Sequence, residues 1–375
     1  MIQDMSTHKA SIKALFDQNI ILRDLEPLNP FIPGISSIRE QLSFPIDYLP
    51  RKNEPDYAKV LLSFINALGE GKIKYVFYVG DSLYNDGSAI INLSKISELK
   101  VLGYICNQGK ELLGEYLIGN IILSDDWANL YKMIEQGIKK GFQINDNTIG
   151  IFDLDNTTYA AKGRASEPLT QARLEAVYSL LLKAMGSARF RKEKVERAFR
   201  EFDRDEYHPF TSDNLDYVVF LALIYSLGLL DLQEIRQNLS ERRIQTFIEK
   251  VLAEVEERKA NEGLDEAWKL VREIYFNMRY GDKTPFKQFR YKEYYYTAQW
   301  MTRDAAPENS ITITREVAEM VSFLKINSAY ILALSDRPVE STCPYDVEVS
   351  KSLLNIEMLL SGETIINKLI VSRNK

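Results

Sequence analysis

Apolar strand-like runs alternating with helical patterns leave few folds open to this chain. Asp56 to Leu68 carries apolar residues at helical spacing and ends near Gly69 and Gly71. Tyr75-Val-Phe-Tyr-Val-Gly80 then reads as a buried strand and Lys100-Val-Leu-Gly-Tyr-Ile105 as a second. Trp127 to Ile138 reads as a helix and Thr148-Ile-Gly-Ile-Phe152 as a third strand. Strands alternating with helices predict a parallel α/β sheet. Residues 1 to about 50 show no such rhythm, because Pro27, Pro30 and Pro33 break any long period.

From about residue 166 to 303 the pattern is helical throughout. The predicted helices are Leu169 to Met185, Lys192 to Phe202, Asn214 to Leu230, Leu232 to Lys259 and Leu264 to Met278. Alternation resumes with a helix at Thr314 to Lys325, a strand at Ala329 to Leu334, a helix near Val349 to Leu360 and a terminal strand-like run, Thr364 to Val371. The expected organisation is an α/β core of residues 1–158 and 312–375, interrupted by a helical block of residues 159–311. Its sheet would be doubly wound and Rossmann-like.

Composition narrows the function. A net charge of −6 argues against a dominant nucleic-acid or anionic-membrane surface. Cys106 and Cys343 stand far apart and outside any CxxC pair, which argues against a disulfide framework or a zinc site. His8 and His208 are the only histidines, leaving little for histidine-based catalysis. The 13-residue apolar run from Val218 to Leu230 is too short to span a bilayer and reads as a buried helix. Without a signal-peptide pattern after Met1, the expected compartment is the cytoplasm.

The chemistry concentrates at Ile149-Gly-Ile-Phe-Asp153-Leu-Asp155-Asn-Thr157. Sites in open parallel sheets form beyond the carboxyl ends of the strands, where these acids would emerge. Strand alternation would turn both carboxylates to one side. One carboxylate can attack phosphorus while the other protonates the leaving oxygen and then deprotonates water. Clustered carboxylates also call for a cation, and magnesium takes oxygen ligands. The plainer alternative is a solvated Asp-rich turn.

This segment closely resembles the first motif of the haloacid dehalogenase (HAD) superfamily, an apolar strand followed by Asp-x-Asp-x-Thr. The resemblance implies that Asp153 is the nucleophile that becomes an aspartyl-phosphate and Asp155 the acid and base, as in the phosphatase branch. Tyr330-Ile-Leu-Ala-Leu-Ser335 resembles the second motif and implies that Ser335 holds a phosphoryl oxygen. Only 40 residues follow Ser335, with no strand followed by carboxylates among them, although Lys351 and Lys368 are there. Upstream, Tyr75 to Gly80 followed by Asp81 and Asp86 resembles the fourth motif. Lys52, ahead of Pro55 and a helix, resembles the third, 29 residues before Asp81. Ile118 to Ser124 and the helix after it resemble the last strand and closing helix.

The motif order three, four, one, two resembles that of a circularly permuted core with a large inserted helical cap. The resemblance implies a magnesium-dependent phosphatase acting on a small phosphorylated substrate. Magnesium would be held by Asp153, the backbone carbonyl of Asp155, and Asp81 or Asp86. The strand order expected is Tyr75–Gly80 beside Ile149–Phe152, Ala329–Leu334 on the other flank, and Thr364–Val371 at the far edge.

Two other readings accompany this one. A catalytically silent scaffold would bind a partner through the helical block. A nucleic-acid-associated protein would use Phe286 to Trp300, where bases and aromatics interleave. Lys162 and Arg164, just past the first motif, would either meet a substrate anion or be solvated.

Overall fold

The computed structural model describes residues 9–107, 116–211, 213–229, 231–233, 236 and 265–373. The chain divides into two compact units, Met1–Thr170 with Thr297–Lys375, and Gln171–Tyr296. The architecture is mixed α/β. In the first unit the described strands are β1 (Lys9–Ala10), β2 (Ile20–Ile21), β3 (Tyr75–Gly80), β4 (Lys100–Cys106), β5 (Tyr116–Ile118), β6 (Ile121–Ser124), β7 (Thr148–Asp153), β8 (Ile313–Thr314), β9 (Tyr330–Leu334) and β10 (Met358–Ser361).

Seven of these form one sheet in the order β2-β9-β7-β3-β4-β6-β5. All neighbours run parallel except β5 and β6, an antiparallel hairpin turned at Gly119 and Asn120. β3 pairs with β7 from Tyr75↔Thr148 to Val79↔Phe152, and β7 with β9 from Ile149↔Tyr330 to Asp153↔Leu334. The carboxyl ends of three adjacent parallel strands therefore emerge side by side.

The strands are apolar on both faces because both faces are covered. Val76, Tyr78, Ile149, Ile151, Leu332 and Leu334 share one core with residues of the helices Pro55–Leu68 and Ser88–Ile96. The alternate residues Phe77 and Phe152 stack on Phe142 and Phe16. Gly150 lets the helix Arg315–Ile326 approach β7, since a methyl group there would lie 2.6 Å from Leu324 Cδ1.

The far edge of the sheet departs from expectation. It is β2, from the N-terminal segment that showed no rhythm, with Ile20 opposite Ala333 and Ile21 opposite Leu334. The terminal run forms the helix Ile366–Arg373 instead. Ile365 and Leu369, four residues apart, are both fully buried, and the Glu319 carboxylate accepts from the first amides, Ile365 at 2.6 Å and Ile366 at 2.8 Å. The expected helix near Val349 to Leu360 is two 3₁₀ turns, Val349–Lys351 and Leu353–Asn355, followed by β10. Extended Ser352 interrupts it, accepting from Leu354 N at 3.3 Å. β10 lies between β1 and β8 in a separate three-stranded sheet. Trp127 to Ile138 likewise divides into a 3₁₀ turn, Trp127–Asn129, and the helix Lys132–Lys139.

The second unit holds helices and, among its described residues, no strand. Lys192–Phe202 and Leu215–Ser226 pack around a core of their own with residues of Glu167–Met185, Asp265–Arg279 and Lys287–Met301. The apolar run from Val218 lies buried in Leu215–Ser226. The helix expected from Leu232 to Lys259 falls almost entirely outside the described residues. No helix among the described residues is long and apolar enough to cross a membrane.

Candidate active site

Each acidic motif lies at the end of a strand, and local backbone chemistry directs its side chains. β3 ends at Gly80, after which a single π-helical turn, Leu83–Gly87, folds Asp86 back over the strand. Only glycine permits this approach, because a methyl group on residue 80 would come within 2.6 Å of Asp86 Cβ. Asp86 Oδ2 then accepts from the amides of Asp81 at 3.3 Å and Ser82 at 3.2 Å. Its other oxygen accepts from Tyr78 OH at 3.1 Å and Lys52 Nζ at 3.0 Å.

Lys52 lies just ahead of the helix that Pro55 opens, and Pro at the first helical position costs no hydrogen bond. Its ammonium is buried, 2.5 Å from Asp153 Oδ1 and 3.7 Å from Asp336 Oδ2. Asp81, Asp86 and Asp153 each offer an oxygen within 4.8 Å of the others'. The structure thus brings Lys52, Asp81, Asp86 and Asp153 together from three segments of the chain. Lys351 instead pairs with Glu348, and the Lys368 ammonium lies over the Tyr131 ring.

Three carboxylates share this buried space with one lysine at its centre. Burial raises the Asp153 carboxyl well above the ordinary carboxylate range, with Asp86 and Asp81 adding to the rise and Lys52 opposing it. Burial raises Asp81 as well, against the pull of Lys162. Burial alone would lower Lys52, but Asp153, Asp86 and Asp336 outweigh it and hold the ammonium charged.

Asp155 is placed differently from the strand-alternation expectation. β7 ends at Asp153, and Asp155 lies in the turn beyond it, where the period of two no longer holds. Asn156 and Ala160 in that turn have φ of 59° and 54°. Thr158 Oγ1 donates to the Asp153 carbonyl at 2.6 Å. The Asp155 carboxylate accepts from Ser335 Oγ at 3.0 Å and from Tyr159 OH, and the Arg337 guanidinium lies 3.7 Å away. Asp155 is not among the three clustered carboxylates. Ser335 Oγ also accepts from the Arg337 amide at 3.0 Å.

Arg337, Tyr159, Tyr78 and Asp336 line this neighbourhood and escaped the motif reading. Asp336 and Arg337 directly follow Ser335, and Tyr159 lies four residues past Asp155, so position was the only signal available. Lys162 is not simply solvated, for its ammonium lies 3.0 Å from Asp81 Oδ2. Arg164 makes a two-point pair with buried Glu316, at 2.8 and 2.9 Å. The two ends of the helical block are joined nearby. Ala160 N donates to Thr312 O at 2.9 Å, and Thr314 N to Thr158 O at 2.8 Å.

The basic and aromatic stretch from Phe286 to Trp300 lies largely in the helix Lys287–Met301. Arg290 is buried there, 2.9 Å from Asp216 and 2.8 Å from Glu293, and Lys287 lies 3.1 Å from Asp282. Those two bases are engaged within the chain.

Compared with protein-family models, with curated proteins and with solved structures, the chain matches none.

Proposed function

We propose that the protein is a magnesium-dependent phosphomonoester phosphatase of the HAD type, with Asp153 as its nucleophile. The observation that carries this reading is the buried cluster of Lys52, Asp81, Asp86 and Asp153 at the carboxyl ends of adjacent parallel strands. Three carboxylate oxygens within 4.8 Å of one another suit a hard divalent cation, and Lys52 together with Lys162 still leaves the three acids with an excess of negative charge. Asp153 with Asp81 and Asp86 would hold that ion, as would the Asp155 carbonyl. When bound, magnesium would supply charge compensation for the phosphoryl oxygens.

An Asp153 carboxylate oxygen attacks phosphorus in line, and the bond from phosphorus to the leaving oxygen breaks. Asp155 gives its proton to that oxygen. Water then attacks the phosphorus of the aspartyl-phosphate, Asp155 takes the proton, and phosphate leaves with the Asp153 carboxylate restored. Ser335 and Arg337 orient Asp155 for both transfers, while Lys52 offsets charge on the transferring group.

On this reading the order of strands is that of a circularly permuted core. The unit Gln171–Tyr296 would be the cap inserted in the chain between Asp153 and Ser335, and substrate selection would be its work. Two free thiols, Cys106 and Cys343, fit work in the cytoplasm. Hydrolysis of p-nitrophenyl phosphate titrated with magnesium tests the metal assignment. Asp81→Ala should raise the magnesium needed for half-maximal rate by about tenfold or more. An unchanged requirement in both Asp81→Ala and Asp86→Ala would remove these residues from the site.

A further inference from the structure

Asp81 differs from its two neighbours in how its charge is met. Lys52 bonds directly to Asp153 and Asp86, whereas the ammonium in contact with Asp81 is that of Lys162, at 3.0 Å. Lys162 belongs to the turn that follows Asp155. Its backbone is fixed there, with its amide donating to Asn156 O at 2.8 Å between the left-handed Ala160 and Gly163, whose φ is 80°. Its side chain is less confined. It is 24% exposed, against 10% for Asp81 and 2% for Lys52, so the four-carbon stem can carry the ammonium outward while the turn stays in place.

We propose that Lys162 is the resident counter-cation of Asp81 and exchanges with the divalent ion. Metal and ammonium are alternative partners of one carboxylate, and metal binding turns the lysine out toward solvent. This rests on the metal-site reading above. The physical ground is repulsion: a divalent cation coordinated by Asp81 and an ammonium hydrogen-bonded to it would lie only a few ångströms apart, in a partly dry site. Lys162 therefore weakens metal binding and steadies the metal-free protein, whose three clustered carboxylates would otherwise have only Lys52 close by. Metal occupancy becomes a property the chain sets through one side chain, without change to any ligand.

Mn²⁺ binding to the full-length, metal-free protein tests this directly, with free Mn²⁺ counted by electron paramagnetic resonance. Lys162→Met should bind Mn²⁺ about tenfold tighter than the natural protein, as expected for one charge removed beside the ion, and Lys162→Arg within about twofold of it. Metal-free Lys162→Met should also melt at a lower temperature than the natural protein, and saturating Mn²⁺ should close that gap. Equal or weaker Mn²⁺ binding by Lys162→Met, with Asp81→Ala still impairing it, would overturn the exchange and leave the metal site standing. Mn²⁺ binding untouched by Asp81→Ala would overturn both.

Discussion

At the scale of single residues, the site is a problem of unmatched charge. Asp153 and Asp81 keep their protons to higher pH in the folded protein than an ordinary carboxyl does, burial being the main cause. Over that interval the folded state binds more protons than the unfolded chain. Stability of the metal-free protein should therefore fall as pH rises from the ordinary carboxylate range through the raised values. Melting in the presence of EDTA between about pH 4 and about pH 8 should show this decline, and Asp153→Asn should flatten it. Equal slopes in the two proteins would contradict the assignment of a raised carboxyl to Asp153. Magnesium, by favouring the ionised trio, should stabilise more at the upper end of the range. The meeting of Lys52 with Asp81, Asp86 and Asp153 was legible because each sits at a fixed offset from a strand or a helix start, whereas the place of Asp155, past the end of its strand, was not. Tyr78, Tyr159 and Arg337 were not, since nothing in a lone side chain's neighbours tells where the fold will carry it.

At the scale of elements, the central strands were legible and the edges were not. β3, β7 and β9 are covered on both faces, so their sequences are continuous apolar runs bounded by glycine, serine or aspartate. β2 has only two residues and borrows its place from β9, leaving no periodic signal. The run after Thr364 has residues apt for a strand, yet its buried positions Ile365 and Leu369 repeat at helical spacing. The turn from β3 into Leu83–Gly87 belongs to this scale as well. Asp86 reaches the site only because Gly80 presents no side chain. Gly80→Ala should cost about 1–3 kcal/mol in denaturant unfolding, as an overpacked contact does, and should weaken Mn²⁺ binding by displacing Asp86. Unaltered stability and Mn²⁺ affinity in that variant would show that Asp86 needs no such clearance.

At the scale of the whole molecule, the two units have separate apolar clusters among the described residues. A cluster on one face of the sheet gathers residues from Ile21 to Leu334 outside the helical block, and a separate cluster gathers Leu174 to Phe289 within it. Every residue assigned to the chemistry belongs to the first unit. Replacing residues 171–296 by a flexible linker should therefore leave Mn²⁺ binding intact while erasing discrimination among phosphorylated metabolites, as a panel of substrates would read out. Retained discrimination in the shortened chain would deny the block a role in specificity. The central claim concerns the intact protein, and turnover of p-nitrophenyl phosphate with saturating magnesium tests it most directly. The natural chain should hydrolyse this ester, and Asp153→Asn, folded by circular dichroism, should lose about 10³-fold or more of that rate. Hydrolysis by Asp153→Asn at the natural rate, or none by the natural chain, would contradict the account.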